Sequence, residues 1–281
     1  MALVDGALTV ERAALRACDG VVTASGRLDL RDARRPPFAL RVAARGADLR
    51  AALAGTSAAG RLDGHLALDA DLAGSGLAWD AVAPTLRGTA TVDVRDGAMR
   101  DANLVREVLD AVRRVPGLGA VLGVPARSGE LLAAKDTRFD ALGAHVRIAE
   151  RRLTTEDFAF DARDYRITGR GVLAFDRALD FTGTLALSEP FARAVLPGAA
   201  ILRTVGDPLR LLRIPFRASG TLPRVTVVPD AGAVVRPLDE LERGAEALLG
   251  GTKRGRKLLA PLDELLRRSP RGGAVDSARP R

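Results

Sequence analysis

The residues able to carry chemistry in this 281-residue chain are few and scattered. Gly169-Arg170-Gly171-Val172-Leu173-Ala174 satisfies a loose G-x-G-x-x-A dinucleotide pattern. That motif works by turning a strand into a helix whose N-terminus meets pyrophosphate. Here both glycines lie inside an alternating run that reads as a strand, where they are expected to thin the sheet as it bends. The stretch "GTSAAG" at 55–60 lacks the spacing of a nucleophile elbow, and neither His65 nor His145 has an acid at a diagnostic position. Glu156-Asp157 and Asp161-Asp164 offer carboxylates for acid–base work, yet alternation puts Asp157 and Asp161 on the solvated side of their strands. The one cysteine, Cys18, makes no intramolecular disulfide and, with only two histidines, assembles no ordinary zinc site. The expectation is a non-enzymatic protein without catalytic residues, metal or cofactor. A hydrolase would need a pocket that gathers His65 or His145 with two carboxylates.

Charge points to partners instead. A net charge of +8 favours anions such as nucleic acid, lipopolysaccharide or phospholipid headgroups. The basic residues are nearly all Arg, Lys occurs only at Lys135, Lys253 and Lys257, and Gln is absent, a skew of GC-rich coding that dilutes the meaning of any one Arg. Nucleic acid is not expected as a partner, because the aromatic residues sit mainly on an alternating apolar face and form no basic-aromatic platform. The basic excess gathers near the C-terminus, where residues 236–281 hold eleven basic and seven acidic side chains. There Leu258, Leu262, Leu265 and Leu266 form one helical stripe beside Lys253, Arg254, Arg256, Lys257, Arg267 and Arg268. Such a helix either rests on a membrane or partner surface or docks on the sheet with its back in water.

The elements that would position these groups are strands. Apolar residues alternate at Leu8 and Val10; at Ala13, Leu15 and Ala17; at Val22, Ala24, Gly26, Leu28 and Leu30; and at Phe38, Leu40 and Val42. The alternation resumes over Leu62–Leu72, over Leu86–Val94 and through Arg152–Leu187. Asp5-Gly6, Asp19-Gly20, Asp63-Gly64, Asp96-Gly97 and Ser128-Gly129 punctuate the pattern, and those between two strand patterns suit tight hairpins. The predicted fold is therefore a β-rich α+β one: a curved antiparallel sheet of successive hairpins, groove-like in form, with a few covering helices and a helical C-terminal tail. One helix is predicted over 102–114, capped by Asp101 and stopped by Pro116-Gly117, with Leu104, Val105, Val108, Leu109 and Val112 on one face. Short helices broken by Pro197 and Pro208 are expected between Glu189 and Leu212.

Residues 7–30 laid on 152–175 at a constant offset match at Leu8 and Leu153, Thr9 and Thr154, Glu11 and Glu156, Ala14 and Ala159, Ala17 and Ala162, Asp19 and Asp164, Thr23 and Thr168, and Gly26 and Gly171. Either a duplication or convergent hairpin chemistry produces such matches. The expected organisation is a hairpin unit at 1–60, a β-rich domain at 61–231, an amphipathic helical tail at 232–270 and a disordered end at 271–281. No apolar run reaches the length of a bilayer-spanning helix, and "MALVDGALTV" has no basic n-region. Because a strand pattern begins almost at once, the chain reads as the distal part of a longer protein or a late-starting reading frame.

One face of Arg152–Leu187 collects Phe158, Phe160, Tyr165, Ile167, Leu173, Phe175, Leu179, Phe181, Leu185 and Leu187. Left in water, these would forgo on the order of 15–30 kcal/mol. The helices 102–114 and 189–213 are one expected cover, and lipid in an open groove is the other.

Three segments, "LRGTATVDVRDGAMRDANLVREVLDAV" (86–112), "RFDALGAHVRIAERRLTTEDFAFDARDYRITGRGVLAFDRALDFTGTLAL" (138–187) and "IPFRASGTLPRVTVVPD" (214–230), resemble in order the C-terminal region of AsmA-like proteins of the Gram-negative envelope. The resemblance covers about residues 60 to 230 and lies in the order of the motifs. It implies a role in outer-membrane biogenesis, phospholipid or a membrane surface as partner, other envelope proteins nearby, and a place in the cell envelope on the periplasmic face of the inner membrane. It implies the ten side chains from Phe158 to Leu187 as lipid-facing, and it brings no catalytic residue. The alternative is a structural or interaction module with a closed β-rich core whose basic tail docks on a partner or membrane surface.

Overall fold

A computed structural model of the chain describes residues 2–56, 58–114, 133–188, 190–191 and 213–230, except the side chains of residues 112 and 113. Alternation becomes a single antiparallel sheet in which every strand pairs with its neighbour in sequence. Its strands are β1 (Ala2–Val4), β2 (Ala7–Ala17), β3 (Gly20–Asp29), β4 (Pro37–Asp48), β5 (Leu62–Ser75) and β6 (Arg87–Met99). After an insert come β7 (Thr137–Ala149), β8 (Arg152–Ala162), β9 (Tyr165–Ala174), β10 (Ala178–Leu187), β11 (Arg213–Thr221) and β12 (Arg224–Pro229). Helices α1 (Leu49–Ala52), α2 (Trp79–Val82) and α3 (Leu104–Arg113) occupy three of the connections. The β4·β5 pairing runs across the expected boundary near residue 60.

The two faces differ in kind. Directly paired residues project to the same side of a sheet, and one such row reads Ala47, Leu66, Val94, Leu142, Phe160, Ile167, Leu185, Ile214 across eight strands. The opposite face is charged and laced by cross-strand pairs, Arg41 to Asp71, Arg45 to Asp69 and Arg217 to Asp180, each at 2.7 Å, and Arg166 to Asp161. These pairs are well exposed and contribute little net stability. Burial of the apolar face must hold the fold.

That burial comes from α3. Val105, Val108 and Leu109 are almost wholly removed from water and join Val94, Phe139, Phe160, Tyr165, Ile167, Leu185, Leu187, Ile214 and Phe216 in one core. The helix leaves the sheet between β6 and β7 yet touches β12, six strands away from β6, so the sheet curls around it without closing into a barrel. Its first turn is not capped by Asp101, as the sequence pattern suggests. Asn103 Oδ1 accepts from the backbone N–H of Arg106 at 2.9 Å, and the Thr137 hydroxyl accepts from that of Leu104 at 3.1 Å. Asp101 instead lies in a turn with φ 54° and donates its backbone N–H to Asp136. Arg100 and Asp136 thus close the two ends of the insert, with Arg100 bridging to Asp136 at 2.8 Å and to Asp63 at 2.7 Å.

Of the expected Asp-Gly turns, Asp5-Gly6 is one, with φ of 49° and 74°, the geometry that matches strand twist in a two-residue hairpin. At β2–β3 the turn residues are Cys18 and Asp19, and Gly20 already belongs to β3. Asp63-Gly64 and Asp96-Gly97 are not turns; they lie within β5 and β6, where the register shifts. Gly97 is required there because a β-carbon would stand 2.1 Å from the Phe139 ring. Sequence offered Asp-Gly as a turn signal, but the packing of Phe139 decides its use. Ser128-Gly129, residues 192–212 of the expected helices and the tail lie outside the described residues; Phe191, at the start of that stretch, is buried in the core.

The suspected repeat is present in the backbone to the residue. Shifting β2 and β3 by 145 positions reproduces the limits of β8 and β9. The pairs Val10↔Gly26 and Ala13↔Ala24 become Thr155↔Gly171 and Phe158↔Gly169, so a register shift falls at the same place in both hairpins. The turn Asp5-Gly6 becomes Glu150-Arg151, with φ of 51° and 60°. Hairpin chemistry alone does not place a bulge, so duplication explains this better than convergence. The sheet is two six-stranded halves, β1–β6 and β7–β12, each with a side-chain-capped turn after its fourth strand: Asp48 Oδ1 accepts from Ala51 N–H, and Ser188 Oγ from Phe191 N–H.

Leu109→Ala should cost about 2–5 kcal/mol in a urea titration, since the cavity opens at the centre of the core. Asp63, held down to about 2 chiefly by its hydrogen bonds from Arg50, with Arg100 assisting, contributes stability that is fully present above the ordinary carboxylate range and is lost as pH falls from that range through about 2. Asp63→Asn should therefore destabilise the protein by about 1 kcal/mol at neutral pH, with the difference shrinking below the ordinary carboxylate range and closing only below the folded-state value, checked by paired denaturation curves.

Candidate apolar groove

The candidate site is the concave face itself. Rows of inward residues run almost the width of the sheet: Ala13, Ala24, Val42, Ala70, Ala90, Val146, Thr155, Gly171, Phe181, Ala218, Val227. The next row holds Val10, Leu40, Leu72, Ile148, Leu153, Leu173, Leu179 and Val225, with glycines between. No ionisable side chain falls in either row.

Cover over this face is uneven. Of the ten side chains picked out by the sequence, Phe160, Tyr165, Ile167, Leu185 and Leu187 are buried in the α3 core and unavailable to a ligand. Alternation shows which face is apolar but not what lies on it, and here the chain's own helix does. Tyr165 is also tied into the helix entry: its phenol, pushed up to about 12 by burial, bonds Thr137, whose hydroxyl donates to Ala102 O at 2.6 Å. Phe158, Leu173, Phe175, Leu179 and Phe181 remain half-buried, towards the end of the sheet away from α3. In the N-terminal half the face is barer still, with Leu15, Leu40 and Leu3 exposed.

Two aromatic contacts shape the partly open region. Phe181 lies edge-on to Phe158, with ring centroids 5.4 Å apart, over a floor of Gly169, Gly171 and Gly183. A β-carbon on Gly169 would stand 2.5 Å from the Phe181 ring, and one on Gly171 2.9 Å. The apparent dinucleotide motif is therefore a seat for an aromatic ring within β9. At the rim, Trp79 of α2 reaches Phe175 of the β9–β10 turn, with centroids 5.3 Å apart. Residues four strands apart in the sheet meet, so this pair straps the curved sheet across its mouth. Trp79 was not singled out by sequence reading, because it lies outside the alternating runs; it and Leu77 remain exposed.

The groups able to do acid–base chemistry lie elsewhere. His65 is exposed. His145, on the convex face, contacts Asp157 through Nδ1 and donates its backbone N–H to the same carboxylate at 2.9 Å, holding that carboxyl below its usual range. Asp157 lies at the β8 bulge and Asp161 pairs with Arg166, both with side chains open to solvent as alternation indicates. Two shallow depressions, about 320 and 500 Å³, mark the equivalent bulges in β2 and β8 and are lined by mixed polar side chains such as Glu11, Arg12, Glu156 and Asp157. Among the described residues no three of His, Cys, Asp and Glu gather in a metal-binding group, and no helix is long and apolar enough to cross a membrane. Lys253, Arg254, Arg256, Lys257, Arg267 and Arg268 lie outside the described residues.

Phe181→Ala should therefore leave the fold in place while loosening the seat over the glycines, lowering stability by about 3 kcal/mol in a urea titration. No family model, curated protein or solved structure matches this chain.

Proposed function

We propose that the chain handles phospholipid, shielding acyl chains along the uncovered part of its concave face, as an AsmA-like component of envelope and outer-membrane biogenesis. The observation that carries this reading is the apolar face itself. It crosses the sheet without an ionisable residue in these rows, and among the described residues α3 fills chiefly its C-terminal half. Acyl chains are the apolar ligand whose length and lack of polar atoms suit such a lining, because apart from the Thr155 hydroxyl its side chains offer nothing to a buried hydrogen-bonding group. The outward charge keeps the back of the sheet in water. On this reading the protein is not an enzyme, its partners are phospholipid, a membrane surface and other envelope proteins, and its place is the periplasmic side of the inner membrane.

A second reading has one specific observation in its favour. Over one end of β6–β12 α3 buries Val94, Phe160, Ile167, Leu185 and Ile214, as in a structural or interaction module with a closed β-rich core. A basic tail would then supply the docking.

Gently extracted protein should carry phospholipid, detected by mass spectrometry of the intact complex and of its organic extract. Leu40→Asp places a carboxylate on the open face, far from the α3 core, and should reduce bound lipid several-fold without lowering the unfolding midpoint by more than about 0.5 kcal/mol equivalent. A lipid-free preparation, or lipid unaffected by the change, would leave the closed-core module as the better account. The single Trp79 supplies an independent readout: its emission should be quenched when brominated acyl chains are loaded.

A further inference from the structure

Because the strands alternate in direction, every second connection of the sheet falls at the end away from α3. Those connections are tied to one another. The backbone N–H of Gly76 in the β5–β6 connection donates to Pro36 O of the β3–β4 connection at 3.1 Å, that of Phe175 to Arg151 O at 2.9 Å, and that of Leu222 to Arg177 O at 3.0 Å. With the Trp79–Phe175 contact, these bonds join the connections from β3–β4 to β11–β12 into one rim.

Apolar side chains are exposed on this rim and not at the other end. Leu30, Leu77, Trp79 and Leu222 all lie in its connections, with Leu77 74% and Trp79 61% exposed. Among the described residues, no connection at the α3 end exposes a large apolar side chain. A single exposed leucine is ordinary, but a row of apolar tips on turns bonded together marks a contact surface. The connections that run on beyond the described residues, after α3, β10 and β12, leave the sheet at the opposite end.

Charge identifies the partner. Arg34, Arg35, Arg151, Arg152, Arg177 and Arg224 lie in or beside the same turns, exposed, and their side chains enter no ion pair among the described residues. Nearby acids are engaged within the rim: Asp29 pairs with Arg31, Asp32 accepts from the backbone N–H groups of Arg34 and Arg35, each at 3.1 Å, and Asp176 accepts from that of Ala178 at 3.1 Å. The carboxylates left over, Asp5, Asp80 and Glu150, are fewer than the free guanidiniums. Guanidiniums set around exposed Leu and Trp are complementary to a bilayer with anionic headgroups, where the cations meet phosphate while leucine and indole enter the acyl boundary. A soluble anion would engage the arginines but not the apolar tips.

We propose that this rim docks the protein on an anionic phospholipid bilayer, with Leu77 and Trp79 inserted at the boundary between headgroups and acyl chains and Arg151 and Arg177 on phosphate. The proposal rests on the membrane partner of the reading above and assigns that contact to the turns away from α3. The half-buried side chains of the groove lie towards the same end, so docking holds the groove's open part against lipid.

Vesicles of phosphatidylcholine with phosphatidylglycerol are the probe, and pure phosphatidylcholine is the control. The full chain should float with the anionic vesicles, Trp79, its single tryptophan, should shift its emission to the blue, and both signals should weaken with salt. Arg151→Glu combined with Arg177→Glu should lower partitioning on the order of tenfold, and Leu77→Asp by a similar factor, with urea midpoints unchanged because all three side chains are exposed. Vesicle binding without a Trp79 shift, or binding insensitive to these changes, would give the membrane contact to another surface and overturn the proposal, as would no binding. A blue shift on concentrating the protein without vesicles, with dimers in sedimentation, would assign the rim to a second copy and overturn it equally. Phospholipid carried by the vesicle-free protein should be unchanged in the rim variants, and Leu40→Asp should leave vesicle binding unchanged. Failure of the rim and failure of the acyl-chain groove are therefore distinguishable.

Discussion

A sheet whose whole inner surface is apolar has to be covered, and the packing of α3 into the curl of β6–β12 is the interaction on which the rest of the structure depends. The outward ion pairs are exposed and weak, while Leu109, Phe160 and Leu185 are completely buried together. For one short helix to reach β12 from the β6–β7 connection, the sheet must curve strongly. The curvature in turn brings Trp79 to Phe175 at the other end. Helix burial, sheet curl and the aromatic strap are consequences of one requirement.

Polar groups serve that packing. The insert that carries α3 is held at its base by Arg100, which bonds Asp63 and Asp136, and by Thr137, which bonds Ala102 and Leu104. Thr137 and Asn103 accept from two of the helix's first N–H groups, those of Leu104 and Arg106, a need that propensity alone does not meet. Glycines contribute in the same way. Gly97 makes room for Phe139, and Gly169 and Gly171 for Phe181, so that large rings lie flat on the sheet and fill the space that curvature leaves.

Duplication connects these local devices across the sheet. Each half carries the same bulged hairpin and a capped turn, while α3, between the halves, shares its core with β6–β12 and with Leu49, Leu62 and Leu66 of the first half. Among the described residues the N-terminal half keeps the more exposed face, with Leu3, Leu15 and Leu40 open to solvent.

The succession of hairpins, the apolar phase of each strand, the helix near 104–113 and the hairpin repeat were all legible in the residues, because alternation and a constant offset are local properties of a chain. The bulge between Val10 and Ala13 is a finding of the structure. The sequence named helix 102–114 as one of two covers, lipid being the other, but not which side chains it would bury. Phe160 and Phe181 lie on the same apolar face in sequence, yet one is fully buried beneath α3 and the other half-open, since cover depends on where a helix between β6 and β7 lands after the sheet has curled. The same holds for Asn103 replacing Asp101 as the cap, for Asp96-Gly97 serving as a seat for Phe139 instead of a turn, and for Trp79 meeting Phe175. Sequence by itself determined which surfaces had to leave water. Only the tertiary structure decided which neighbour received them, because that choice is made by contacts between residues far apart in the chain.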